Sequence, residues 1–268
     1  MPLGGWRFVS ALAPLYKQER ECVVLKAGVP FRLRPTIQME RMMWYGVYER
    51  QMLSLFGRYL RKGDTVIDCG ANIGWVSAFF LEHVGKEGRV LSFEPLPAHV
   101  VRLQRFAEIA RANGYHMDVA PVALGAAAGN AELHIGKDNH GFNTIVGELT
   151  RPELTPTSMI VEVRTLDAVL AERGIDHARF AKIDVEGAEY GLLQGASAAL
   201  SRHAFDHVYV EVSTKAARMQ VGARDAVAAL LHDFGYEGKA IHKGRLVALP
   251  DTWDEWIVET LWSAPGVT

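Results

Sequence analysis

The sequence predicts an α/β fold: a mostly parallel sheet with helices on both faces and an antiparallel pair at one edge. Two observations predict it. From residue 65 onward, short apolar strand patterns alternate with helical ones, which builds parallel strands joined by crossover helices. The tail then offers strands near 236–242, 245–249 and 256–262 with no helix between them, which suits an antiparallel edge.

The elements follow in order. CVVLKAGVPFRLR (22–34) reads as a hairpin around Ala27-Gly28. Residues 47–61 carry Val47, Tyr48, Met52, Leu55, Phe56, Tyr59 and Leu60 at helical spacing, and Lys62-Gly63-Asp64 breaks the pattern. TVIDCG (65–70) is a strand, and NIGWVSAFFLEHV (72–84) is a helix. RVLSFEP (89–95) is a strand stopped by proline, and 98–114 is a helix ending at Gly114. HMDVAPVALG (116–125) is a strand running into a turn. Residues 130–165 supply two more short strands around a polar, Gly/Pro-containing stretch. TLDAVLAERG (165–174) is a short helix; 179–187 is a strand and 188–200 its helix. HVYVEVS (207–213) is a strand, and 224–235 is a helix.

The bulk numbers narrow the function. The 268 residues are 49% hydrophobic and 22% charged, with a net charge of -2 and no basic stripe. That argues against nucleic acid as the primary partner. Cys22 and Cys69 are the only cysteines, too few for a disulfide framework, so a reducing cytoplasm is expected. No run of eighteen apolar residues offers a membrane span. The apolar patch Ser10–Leu15 contains Ala-Leu-Ala, but Pro14 and the single basic Arg7 make a poor signal peptide. A peripheral helix packed on the domain or on a partner is expected there, and a homo-oligomer stays open.

Ligands in open α/β sheets bind at the carboxyl ends of the strands. The first such end reads VIDCGANIG (66–74). Gly70 and Gly74 flank a tight turn into a helix, whose N–H groups can meet a ligand. Asn72 replaces the second glycine of a dinucleotide motif, and Asp68 would repel a pyrophosphate. An acid there suits an amine-bearing or cationic ligand such as S-adenosylmethionine (SAM), whose carboxylate can use the N–H groups. Glu94 ends the next strand at βαβ spacing, where an acid accepts hydrogen bonds from ribose hydroxyls. Val122 and Ala123 offer an apolar slot for adenine, or simply pack in the core.

VIDCGANIG, FEP, PVALG and AKIDVEGAE, in this order, resemble the FkbM-type family of SAM-dependent methyltransferases. The pairing of D-x-G-A-N-x-G with K-I-D-V-E-G-A-E is the specific part, and the resemblance covers about residues 44–213. It implies a Rossmann-like seven-stranded methyltransferase fold and O-methylation of hydroxyls on polyketides, sugars or other metabolites and glycans. It puts Asp68, Gly70, Ala71, Asn72 and Gly74 along the methionine end of SAM and Glu94 with Pro95 at the ribose. Glu49, on the helix before the first strand, would meet the methionine ammonium. Residues 1–46 would form a helix/hairpin extension that serves as a substrate lid, and 47–268 the methyltransferase domain.

Methyl transfer to an alcohol needs its proton removed by a base, or a metal, or both. Asp184 and Glu186, two apart in an extended segment, would share a face with Lys182. They can hold a hard cation such as Mg²⁺, with Glu211 as a third ligand, or one can act as a base. Lys182 would keep them ionised or favour the substrate oxyanion. A structural network that pins the helix start is the plainer alternative. His140, in the polar stretch DNHGFNT, is a further catalytic candidate bordering the substrate. N-methylation of an amine, or SAM binding without turnover, remain alternatives. Met42, Met43, Trp44 and Tyr45 can wall an apolar acceptor or pack as core.

Overall fold

The computed structural model describes Val9, Leu12, Leu15 and residues 21–136, 143–150, 156–213, 223–249 and 257–267. His140, Trp253 and Trp256 lie outside the described residues. The strands are β1 (Cys22–Lys26), β2 (Val29–Leu33), β3 (Thr65–Cys69), β4 (Arg89–Phe93), β5 (His116–Ala120), β6 (Ala123–Leu124) and β7 (Gly129–Ile135), followed by β8 (Thr157–Arg164), β9 (Ala178–Ile183), β10 (Phe205–Ser213), β11 (Glu237–His242), β12 (Arg245–Val247) and β13 (Ile257–Ser263). The helices are α1 (Gln38–Trp44), α2 (Arg50–Phe56), α3 (Trp75–Val84), α4 (Pro97–Ala112), α5 (Leu166–Glu172), α6 (Glu189–Gln194), α7 (Ser197–Ser201) and α8 (Ala223–Asp233).

The main sheet runs β12-β11-β13-β10-β9-β3-β4-β5. Strands β5, β4, β3, β9 and β10 are parallel, and β13 runs antiparallel to both β10 and β11. The expected seven strands are present, and the short return β12 makes an eighth. The chain leaves β3 toward β4 on one side and comes back at β9 on the other, so the switch point lies between β3 and β9.

Strand periodicity sorts the core. Ile67, Leu91, Ala181 and Val208 face one cluster with α5–α8, whereas Val66, Val90, Phe180 and Tyr209 face another with α2–α4. The hairpin β1–β2 adds Val29, Phe31 and Leu33 to the second cluster.

Three expectations need correction. The helix over 47–61 contracts to α2, because Gly46 and Glu49 both take positive φ and turn the chain before it. Residues 188–200 form two helices, not one. The break frees Ala198 and Ala199 N–H groups, which donate to the Asp167 carboxylate at 2.8 Å each. Residues 116–125 do begin as a strand that runs into a turn, β5 stopping at Ala120, but past the turn β6 joins β7 and β8 in a separate three-stranded sheet that was not expected. That small sheet carries Ala123 and Leu133 beside the carboxyl ends of the main strands, where both line the cavity described next.

Candidate active site

A cavity of about 510 Å³ opens over the carboxyl ends of β3, β4, β9 and β10. Gly70, Ala71, Asn72, Glu94, Pro95, Val122 and Ala123 line it, and so do Glu49, Lys182, Asp184, Glu186 and Glu211. Helix α1 contributes Gln38, Met39, Met42 and Met43 to its wall, and α2 contributes Met52. Asp68 and Gly74, expected at the same surface, are not part of the lining.

Asp68 is instead fully buried beneath it. Period two puts Asp68, Ser92, Lys182 and Glu211 on the same sheet face as Val66, Val90, Phe180 and Tyr209, but at the carboxyl end. Ser77 of α3 donates to Asp68 Oδ2 at 2.6 Å, and Ser92 donates to Ser77 at 2.9 Å. Lys182 Nζ lies 3.5 Å from Asp68 Oδ1 and 3.0 Å from Asp184 Oδ2, and donates to the Gly70 carbonyl at 3.1 Å. Only 3% of Lys182 is exposed. Burial alone would lower the ammonium's pKa; Asp184 and Asp68 outweigh it and raise it, so the lysine stays charged. Asp68 is pushed up by burial, in part offset by Lys182 and Ser77. Asp68 therefore supports the loop above it from beneath the cavity floor.

That loop, 70–74, is tightly specified. Gly70 has φ +81°, and a Cβ there would overlap the Asp184 carbonyl oxygen. Gly70 and Ala71 N–H groups donate to the Phe93 carbonyl, Asn72 N–H donates to Glu94 Oε2 at 2.8 Å, and Ile73 N–H donates to Asn72 Oδ1 at 2.7 Å. Asn72 itself sits at φ +52°, a conformation that asparagine tolerates better than most residues. Gly74, the N-cap of α3, is packed against Leu103, which removes it from the cavity. No side chain caps α3. Its first turn, with Trp75 and Val76 on the cavity wall, is thus suited to an anionic group.

Asp184 and Glu186 reach the cavity by a different route from the one expected. Strand β9 ends at Ile183, and Glu186 has φ +53°, so the i, i+2 geometry of a strand does not extend through them. The turn is held by Glu189, whose Oε1 accepts from Gly187 N–H at 2.8 Å and Val185 N–H at 3.4 Å. Pinning the helix start is thus the task of Glu189, not Glu186. Burial pushes the Glu189 carboxyl up to about 7. Strand and helix periodicity assign Glu189 no role, although an acid two residues beyond a glycine at a helix start is a usable signal.

The metal set is also corrected. Among the described residues, no three His, Cys, Asp or Glu side chains come together as a metal-ligand group, so Asp184, Glu186 and Glu211 do not form one. Beside Asp184 the positive charge is the Lys182 ammonium. The carboxylates still feel one another. Glu211 is raised by Asp184 first and burial second, with Glu49, Glu186 and Glu259 adding to it. Glu186 is raised by burial, then Asp184 and Glu189. Glu49 is pushed up to about 7 by burial, Glu259 and Asp184. One end of the cavity is therefore acidic, and the other, at Val122, Ala123, Leu124 and Leu133, is apolar.

Residues 68–237 match the family described as Methyltransferase FkbM domain. The 31-O-demethyl-FK506 methyltransferase FkbM of Streptomyces tacrolimicus is 31% identical over 169 residues, 52% of this chain and 62% of that protein. The chain thus spans less than two thirds of that relative's length. Among solved structures, the methyltransferase FkbM from Methylobacillus flagellatus KT is similar at TM-score 0.49 and 15% identity, over 95% of this chain and 57% of that one. Aeropyrum pernix fibrillarin in complex with S-adenosyl-L-methionine is similar at TM-score 0.45 and 14% identity, over 92% and 86%. With both TM-scores below 0.5, the fold assignment rests on the strand order itself, and the family assignment on the match over 68–237: this chain belongs to the FkbM methyltransferase family.

Proposed function

We propose that this chain binds SAM in the cavity and transfers its methyl group to a hydroxyl of a small acceptor at the acidic end. The observation that carries this reading is Glu94, which lines the cavity at the end of the strand beside the Gly70 cradle. A carboxylate has about four acceptor positions. Asn72 and Leu96 N–H groups use two of them, which leaves capacity for ribose hydroxyls. The uncapped start of α3 suits the SAM carboxylate, and the Val122–Leu124 wall suits adenine. SAM when bound supplies an activated methyl on a sulfonium.

The chain's own residues then orient the acceptor, exclude water and take the proton. Asp184, ion-paired with Lys182, fixes the loop against Gly70. Glu49, with a pKa of about 7, is the carboxylate best matched to removing a hydroxyl proton near neutrality. This moves the base from Asp184 and Glu186, and moves Glu49 away from the methionine ammonium. Where O-methylation holds, the rate should rise with pH through about 7, because Glu49 must be deprotonated to act. Glu49→Gln should lower kcat about 10²-fold and flatten that rise. A pH profile unchanged in the variant would return the base to Asp184 or Glu186.

Isothermal titration with SAM tests the site. Glu94→Ala should weaken binding at least about tenfold, the scale of one to two charge-assisted hydrogen bonds. Affinity left intact would remove Glu94 from the ribose. SAM turnover to S-adenosylhomocysteine (SAH) against a panel of hydroxylated metabolites tests the reaction. The acidic end also favours a second reading, N-methylation of an amine, since carboxylates hold an ammonium; turnover with amines alone would select it. Binding without turnover of any acceptor would select a non-catalytic module.

A further inference from the structure

We propose that His99 is a positioning residue for the cofactor: packed behind Glu94, its imidazole holds the carboxylate in the orientation that a ribose engages. The inference rests on the Glu94–ribose reading above. Glu94 lines the cavity and His99 does not. His99 occupies the third position of α4, and its own N–H donates to the Leu96 carbonyl. Its side chain is 3% exposed, with Nδ1 3.6 Å from Glu94 Oε1.

The hydrogen bonds around Glu94 show what is missing. Backbone N–H groups from the loops on either side take one oxygen each: Asn72 on Oε2 and Leu96 on Oε1. His99 Nδ1 is buried and has no hydrogen-bond partner. A buried polar nitrogen without a partner is uncommon and costly. A bare Nδ1 lone pair would also repel the carboxylate, so the proton belongs on Nδ1. From 3.6 Å, a shift of under an ångström makes a charge-assisted hydrogen bond to Oε1. Ribose hydroxyls would then donate to Glu94 from the cavity side, and His99 from the core side.

Two variants and two ligands test this. His99→Leu keeps bulk and removes the donor; His99→Asn keeps a donor near the Nδ1 position. By isothermal titration, H99L should bind SAH about tenfold more weakly than the wild type, and H99N within about threefold. For SAH lacking the ribose 2′-hydroxyl, the H99L deficit should shrink, because part of the contact that His99 supports is already gone. H99L binding like the wild type, or a folded H99N as weak as H99L, would overturn the role. Glu94→Gln sorts the failures. If E94Q binds SAH as the wild type does, the ribose reading itself falls. If E94Q weakens binding and H99L does not, only the part given to His99 falls. Should H99L not fold, the wild-type protein decides: with ¹⁵N-labelled histidine, the His99 signal, assigned by its loss in H99N, must show a protonated Nδ1 that shifts when SAH is added. An unprotonated Nδ1 overturns the proposal.

Discussion

Gly70→Ala is expected to abolish SAM binding and to destabilise the fold by about 2–5 kcal/mol. Two costs combine. Gly70 has φ +81°, which disfavours any Cβ, and the added methyl would overlap the Asp184 carbonyl. The β3–α3 and β9–α6 loops would have to part, and the Lys182 bond to the Gly70 carbonyl and the Asp184 N–H bond to the Cys69 carbonyl would be strained with them. Gly63 is the control. It has φ +87° but open space around a new Cβ, so Gly63→Ala should cost only about 1–2 kcal/mol. Urea denaturation compares them. Equal losses would mean that backbone conformation, rather than the close approach of the two loops, makes Gly70 necessary.

Lys182→Met should be comparably severe, at about 3–5 kcal/mol, because it removes the buried cation and leaves its partners uncompensated. The loss should depend on pH. Asp68, already raised by burial, would rise further without Lys182. An acid whose folded pKa lies above its unfolded value, about 3.9, costs stability as pH climbs through that interval. The variant's deficit should therefore be smallest near pH 4 and grow toward neutrality. Urea melts at the two pH values measure it. A deficit that does not change with pH would mean that Lys182 matters through its packed methylenes instead of its charge.

Much of this was legible in the sequence because strand ends are marked by chemistry. VIDCG, FEP and AKID each switch from apolar to polar at the carboxyl end of a strand, and the fold brings those ends to one cavity. Less legible was which polar residue faces water. Asp68 and Lys182 sit in register on adjacent strands, and only the α3 serine above them, Ser77, shows that Asp68 lies beneath the surface. Periodicity also misled at KIDVEGAE, since it assumes that the strand continues. Glu186 lies past the end of β9 in a left-handed turn tied by Glu189. His99 gave no signal because its neighbour in space, Glu94, is set by the turn at Leu96-Pro97 and not by helical spacing.

The ionic seam between β3 and β9 has a consequence for biosynthesis. Gly70 and Lys182 are separated by 112 residues. At about 5–20 residues per second, on the order of ten seconds pass between the synthesis of one and the other. Throughout that interval the nascent chain holds VIDCGANIG without the lysine that neutralises Asp68 or the carbonyl that rests on Gly70. The cofactor loop is encoded early and completed late. Its maturation therefore waits on translation of the second half of the sheet, and a nascent chain stalled in the small inserted sheet carries the loop's sequence without its shape.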